Sequence, residues 1–375
     1  MSKLVKAAIC CCMSAVAIAG ADLEERVSAL ENAAELEAQT SRLALGGYGE
    51  FHLTNDDGKT YGDYHRVVLY AGYQFNDWIR LNSEIELEHA KAGKGSKKTV
   101  DGESVQQAAD GYVLLEQFSV DLQVTETTAI RLGRTLAPLG IVGPRHEPPL
   151  FFGVERPNLE KYILPSTWSV DGAGLVGDLS ENISYEIYAV AGIDGGDISK
   201  SSGIRNGREA SYPGFNSPSI TGRADYHGID GLRIGGAFYQ GSTDAGYKDA
   251  ASGTDDGTVA IMSVDFEAEI GSLSLNGIWA AGSHDGNGND VLESDFGGYY
   301  VTAGYEVWRD GEKAIIPFVR IGEYDTYETS NGDHVVESTQ FGLHVPLSDQ
   351  FCLKADVLEE NDDQVLSMGF GMMFQ

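Results

Sequence analysis

The chain has 375 residues, 57 acidic against 26 basic, for a net charge of −31. So large an acidic excess excludes the basic patches that bind nucleic acid. Of its four cysteines, three lie within the first twelve residues, so whatever follows is not held by disulfides.

Lys3 and Lys6 precede an apolar stretch, Ala7–Ala19, and Ala19-Gly20-Ala21 fits the small-x-small pattern of a secretory cleavage site. Residues 1–21 therefore read as a signal peptide. Cys10–Cys12 raise a lipoprotein signal as a rival, but Ile9 stands where a small residue belongs. In 22–43, Leu23, Val27, Leu30 and Ala34 are spaced four-three-four among Glu24, Glu25, Arg26 and Glu31. That spacing predicts an amphipathic helix, either a short trimeric coiled coil or a loose tether.

From 44 to 375 the period changes to two. Ile79, Leu81, Ser83, Ile85 and Leu87 alternate with Arg80, Asn82, Glu84, Glu86 and Glu88. One face is apolar and the other charged, as in a strand between two different solvents. Similar alternation recurs at 183–189, 264–270, 299–307, 351–357 and 366–374. No segment offers the ~20 continuous apolar residues of a membrane helix. Tight connections (76–77, 125–127, 180–181, 228–230, 271, 309–312, 348–349) alternate with longer polar ones (55–63, 90–110, 137–167, 195–217, 243–256, 285–295, 326–335, 360–364). Short periplasmic turns opposite long outer loops mark a transmembrane antiparallel β-barrel, here of about sixteen strands. The fold class is all-β. Trp78 and Trp308 fall beside tight turns, where an interfacial aromatic belt belongs.

Segment 137–167 holds six of the ten prolines, together with Phe151, Phe152 and Ile163. Proline fixes φ and removes N–H donors, so the segment is a stiff non-strand loop. Its apolar residues do not suit an exposed tip. It is expected to fold into the barrel mouth and present Arg145, His146, Glu147, Arg156 and Lys161 as constriction and selectivity residues. Arg66, Arg80, Glu84, Glu86, Arg131, Arg134, Arg223, Asp225, Arg320 and Lys354 are the expected lumen charges. Rings of such charge set porin selectivity, unless opposite charges pair along the wall.

The run GRTLAPLGIVGPRHEPPLFFGVERPNLEKYILPSTWSVDGAGLVG, residues 133–177, resembles the central region of the phosphate-selective porin O and P family. The signal peptide, size, strand count and aromatic-rich last strand resemble it in pattern. The resemblance implies a homotrimer of sixteen-stranded channels, a third loop that narrows each lumen, and basic lumen residues that attract anions. The acidic excess runs against that last property, and the chain ends on Gln375 rather than on an aromatic.

No catalytic, metal or cofactor motif is present. The eight histidines form no metal-spaced pair, and the calcium-like start at Asp285 lacks the sixth-position Gly and the twelfth-position Glu. The expectation is a non-enzymatic porin of the bacterial outer membrane that passes small hydrophilic or anionic solutes. Its surroundings are lipid and lipopolysaccharide. A substrate-specific channel, for example for siderophore uptake, and an adhesin-like surface barrel are the alternatives.

Overall fold

The computed structural model describes residues 42–89, 97–100, 103–106, 111–195, 198–199, 202–208, 214–243, 257–285, 294–328 and 333–374. The expected signal peptide 1–21 lies outside them, as does the expected helix over 22–43 except for Arg42 and Leu43. Most of the expected loops 243–256 and 285–295 is also outside.

In chain order the strands are β1 (Leu43–Asp56), β2 (Lys59–Asn76), β3 (Ile79–Glu88), β4 (Lys97–Val100), β5 (Glu103–Gln106), β6 (Tyr112–Gln123), β7 (Thr128–Leu136), β8 (Ser169–Ser180), β9 (Ile183–Val190) and β10 (Ser219–Ile229). They continue as β11 (Leu232–Ser242), β12 (Thr258–Ile270), β13 (Leu273–Asp285), β14 (Ser294–Tyr305), β15 (Trp308–Asp310), β16 (Lys313–Glu328), β17 (Val335–Ser348), β18 (Phe351–Glu360) and β19 (Asp363–Phe374). β4 and β5 form a separate hairpin between β3 and β6. The others make one antiparallel sheet of seventeen strands, in which β14 and the three-residue β15 both pair with β16. Taking β14 and β15 as one stave gives sixteen. The sheet closes because β1 pairs with β2 on one side and β19 on the other. Closure leaves no open edge, so the barrel's backbone donors and acceptors are paired around the wall.

The period-two pattern sorts the side chains. Val67, Leu69, Ile85, Leu87, Met262, Val264, Val319, Ile321, Phe341 and Leu343 are exposed on the outer face. An apolar surface spread over most strands is far larger than a water-soluble monomer shows; hydrocarbon is the solvent it suits. Trp78 and Trp308 are exposed beside their turns. The intervening residues, among them Glu50, Arg66, Glu84, Arg223, Arg320 and Lys354, are buried inside.

The long-loop expectation fails at the first and last outer connections. Segment 55–63 is a two-residue turn, Asp57-Gly58, between β1 and β2, with φ of 46° and 73°. Two positive φ values make the I′-type hairpin that Asp-Gly favours, because its twist matches that of the flanking strands. Likewise 360–364 is a tight turn at Asn361-Asp362, with Asn361 at φ 51°. The flanking polar residues belong to strands, not loops.

Candidate pore constriction

Segment 137–168 connects β7 to β8 and lies inside the barrel. It carries a 3-10 turn at Pro148–Leu150 and one short helix, α1 (Asn158–Tyr162). Pro157 occupies the N-cap position of α1, its carbonyl accepting the Lys161 N–H at 3.1 Å, and Ile163 follows the helix in helical conformation. Leu139, Ile141, Leu159, Ile163, Leu164 and Trp168 are buried in one cluster with Tyr188, Val190, Tyr239, Val259, Ile261, Ile278 and Phe296 from the inner wall. Burying a large aliphatic or aromatic side chain stabilises by roughly 1.5–3 kcal/mol, so this seam anchors the segment. Gly140 is required there: it sits at φ 76°, and a Cβ would lie 2.3 Å from Glu160 Oε2.

Polar staples complete the attachment. Arg66, Arg223 and Arg320 donate to the carbonyls of His146 (3.1 Å), Gly140 (2.8 Å) and Phe152 (3.0 Å). Asp356 accepts the Val154 N–H at 2.6 Å. Glu160 accepts the Val142 N–H at 2.7 Å and the Tyr300 hydroxyl at 2.5 Å, and burial raises its pKa. Lys354 Nζ lies 3.7 Å from the centre of the Phe151 ring. These partners come from β2, β10, β14, β16 and β18, on different sides of the barrel. The segment therefore crosses the interior.

The expected lumen charges thus sort into groups. Arg66, Arg223 and Arg320 hold the loop's backbone, and Lys354 packs on its Phe151. Arg66 also pairs with Glu50 at 2.6 Å and approaches Glu86 at 3.8 Å. Arg223 pairs with Asp225 and Asp265. Arg233, which the sequence reading missed, joins that network through Asp225, Asp265 and Glu267. Its signal was its place on the inward face of β11, alternating with the exposed Ile234 and Phe238 and two residues from a turn. Arg131 faces inward and grips Asp121 through two nitrogens, at 2.7 and 2.9 Å. Arg80 is exposed near the short-turn end.

Arg134 is not a lumen charge. It shares the outward face of Leu132, opposite Arg131, and forms an ion pair with Asp171 at 2.7 Å. Strand alternation gives the lumen position to only one of these two arginines.

Of the expected constriction residues, Arg145 is the most exposed and pairs with Glu267. Arg156 turns back into its own segment, donating to Ser166 Oγ and Thr167 Oγ1 at 3.1 Å. Glu147 accepts from the Tyr70 hydroxyl at 3.2 Å. Lys161 reaches over the Tyr162 ring, and burial lowers its pKa. His146 is buried between Glu84 and Glu116. Burial alone favours its neutral ring, but the carboxylates of Glu116 and Glu84 push its pKa up to about 10.

Two polar spaces remain toward the short-turn end. One, of about 340 Å³, lies between Pro149–Phe152 and the β12–β13 turn. The other, of about 260 Å³, is lined by Arg131, Glu186, Arg223 and Asp225 among others.

Folding also assembles histidines that are unrelated in sequence spacing. A bulge between Glu50 and His52 in the β1–β2 pairing lets the His52 ring stack on His65 at 4.5 Å, and His65 meets His89 edge-on at 4.9 Å. Asp63 bonds the Nδ1 atoms of His65 and His89 at 3.1 and 2.7 Å. His52 Nδ1 faces Glu155 of the loop at 2.9 Å.

No family model matches the sequence. Among solved structures, the fold is similar to an anion-selective porin from Comamonas acidovorans: TM-score 0.58, 13% identity, 88% of this chain and 99% of that one covered. It is similar as well to the trimer form of OmpT, an outer membrane protein of Vibrio cholerae: TM-score 0.56, 13% identity, covering 88% and 98%. At such identities the likeness is one of fold. An uncharacterized protein of Aquifex aeolicus (strain VF5) is 30% identical over 351 residues, spanning 85% of this chain and 76% of that protein, and this chain belongs to its family.

Proposed function

We propose that the protein is a passive diffusion channel of the bacterial outer membrane, exported by residues 1–21 and working as a homotrimer surrounded by lipid and lipopolysaccharide. Residues 44–375 are the channel domain, and 137–167 set its width. The observation that carries this reading is a closed barrel, apolar outside and charged inside, with a loop fastened across the lumen by wall residues of several strands. The reading contains no chemical step and calls for no cofactor.

The solutes it favours are small and hydrophilic. The resemblance of 133–177 to the phosphate-selective porin O and P family supports a channel of that kind. The trimeric form of the Vibrio OmpT supports the assembly. Strong anion preference has less support, because Arg66, Arg223 and Arg320 already donate to loop carbonyls and acids. A substrate-specific channel is favoured by one observation, the apolar filling of the lumen toward the long-loop end.

Planar-bilayer recording separates these readings. A diffusion channel conducts in linear proportion to salt, with a reversal potential that Arg145→Ala shifts toward cations. Conductance that saturates with one solute selects the specific channel. A reconstituted protein that conducts nothing ends both.

A further inference from the structure

Where the loop meets the wall, three side chains of types able to ligate a metal converge from places far apart in sequence: Glu84 of β3, Glu116 of β6 and His146 of the loop. All are buried, at 1%, 2% and 2% exposure. Their donor atoms lie within 4.8 Å of one another. His146 Nε2 is 3.4 Å from Glu84 Oε1 and 3.7 Å from Glu116 Oε2. Those separations exceed the 2.7–3.2 Å of ordinary N–H···O bonds. They lie within about 0.1 Å of the spacing of donors sharing one tetrahedral ion, since bonds of about 2.0–2.2 Å set ligand atoms about 3.3–3.6 Å apart.

Two further observations point the same way. Neither oxygen of Glu116 has a hydrogen-bond partner, and a buried carboxylate without one is costly. The outer shell is arranged as around a metal. The Gly143 carbonyl lies 3.0 Å from His146 Nδ1, so Nδ1–H is donated there; a bound ion takes the place of the Nε2 proton held between the two glutamates, and the Nε2 lone pair becomes its ligand. Gln117 Nε2 donates to the far oxygen of Glu84 at 2.5 Å. Metal-ligating histidines and carboxylates are oriented by such partners. The local backbone is adapted too. The β3–β6 register shifts between Glu84 and Ile85, whose partners are Gln117 and Leu115. Glu116 is the extra residue of that bulge. Bulges recur where a side chain must be re-aimed.

We propose that Glu84, Glu116 and His146 bind one divalent first-row transition-metal ion, which ties the loop to the barrel wall. One imidazole with two carboxylates suits such an ion. The soft, thiolate-loving metals find no sulfur here.

The test uses the full-length purified barrel, stripped with EDTA, loaded with Zn²⁺ and passed through a desalting column. One Zn²⁺ per chain should stay bound in the wild type in the presence of excess Mg²⁺. Glu116→Gln, nearly isosteric, should weaken retention by on the order of 100-fold, while His89→Ala at the rim leaves it unchanged. Equal retention by wild type and Glu116→Gln, or loss in His89→Ala, overturns the assignment. A second measurement needs no variant. Co²⁺ in the wild type should give one far-downfield, contact-shifted exchangeable ring N–H, that of a single coordinated imidazole. Two or three such resonances would put the ion among His52, His65 and His89, and none would remove it altogether. Both overturn the proposal.

Discussion

The loop inside this barrel is held differently on its two sides. Toward β9–β14 it is anchored mainly by burial: Leu139, Ile163, Leu164 and Trp168 interlock with the apolar inner wall, and Arg223 and Tyr300 add single polar staples to it. Toward β1–β3 and β6 it is anchored by charge: Arg66 reaches the His146 carbonyl between Glu50 and Glu86, and His146 lies between Glu84 and Glu116. Burial is non-directional and tolerates small displacements. Charged hydrogen bonds are directional, and they fail sharply when one partner is removed. One side therefore supplies adhesion and the other fixes the pose.

That contrast can be broken one side at a time. The largest effect is expected from Arg66→Met. It leaves Glu50 and Glu86 buried without their guanidinium, and losing one partner of a buried pair costs about 3–5 kcal/mol. Urea unfolding in detergent should show the loss; a change under about 1 kcal/mol would mean the charged side does not hold the loop. Next is Ile163→Ala, which opens a cavity in the apolar seam and should cost about 2–4 kcal/mol. Unlike Arg66→Met, it should leave the pH dependence of stability unchanged.

A smaller effect sharpens the comparison at Glu160, an acid embedded in the apolar side. Burial raises its pKa in the folded protein. The neutral carboxyl is thus the favoured form, and its contribution is complete below the unfolded value of about 4.3. It is lost as pH rises through the folded value. Glu160→Gln keeps the neutral form at every pH. The stability of wild type relative to this variant should therefore fall as pH rises from about 4. A difference that grows with pH would reverse the assignment of a raised pKa. The smallest stability effect belongs to Arg145→Ala, less than about 1 kcal/mol for an exposed pair. Its expected signature is the shifted reversal potential alone.

How far the sequence reveals this molecule differs by level. Strand identity was legible wherever one face meets lipid and the other the lumen, as in Ile79–Glu88, because the two solvents impose a period of two. The connections were less so. Asn55, Asp56, Lys59 and Thr60 read as loop by composition, yet they pair across the hairpin. There the signal was Asp57-Gly58 itself, which fixes a two-residue turn. The inner loop was legible from its prolines and misplaced phenylalanines. Its fastenings were not, since Arg320 and Phe152 are 168 residues apart and no local pattern joins them. Arg131 and Arg134 were equivalent on paper, and only the strand's register separates inward from outward. The histidines meet through a bulge and strand pairing, not through spacing.

The 3-10 turn Pro148–Leu150 packs on β1, β18 and β19, the strands that meet at the closing seam, and the buried Cys352 thiol lies 3.9 Å from the Pro148 carbonyl. The first and last staves therefore come together over a wedge contributed by the middle of the chain. Seating that wedge and sealing the cylinder become one cooperative event. A barrel that zipped up with the turn left outside would enclose a Cys352 and a Gly371 facing empty space.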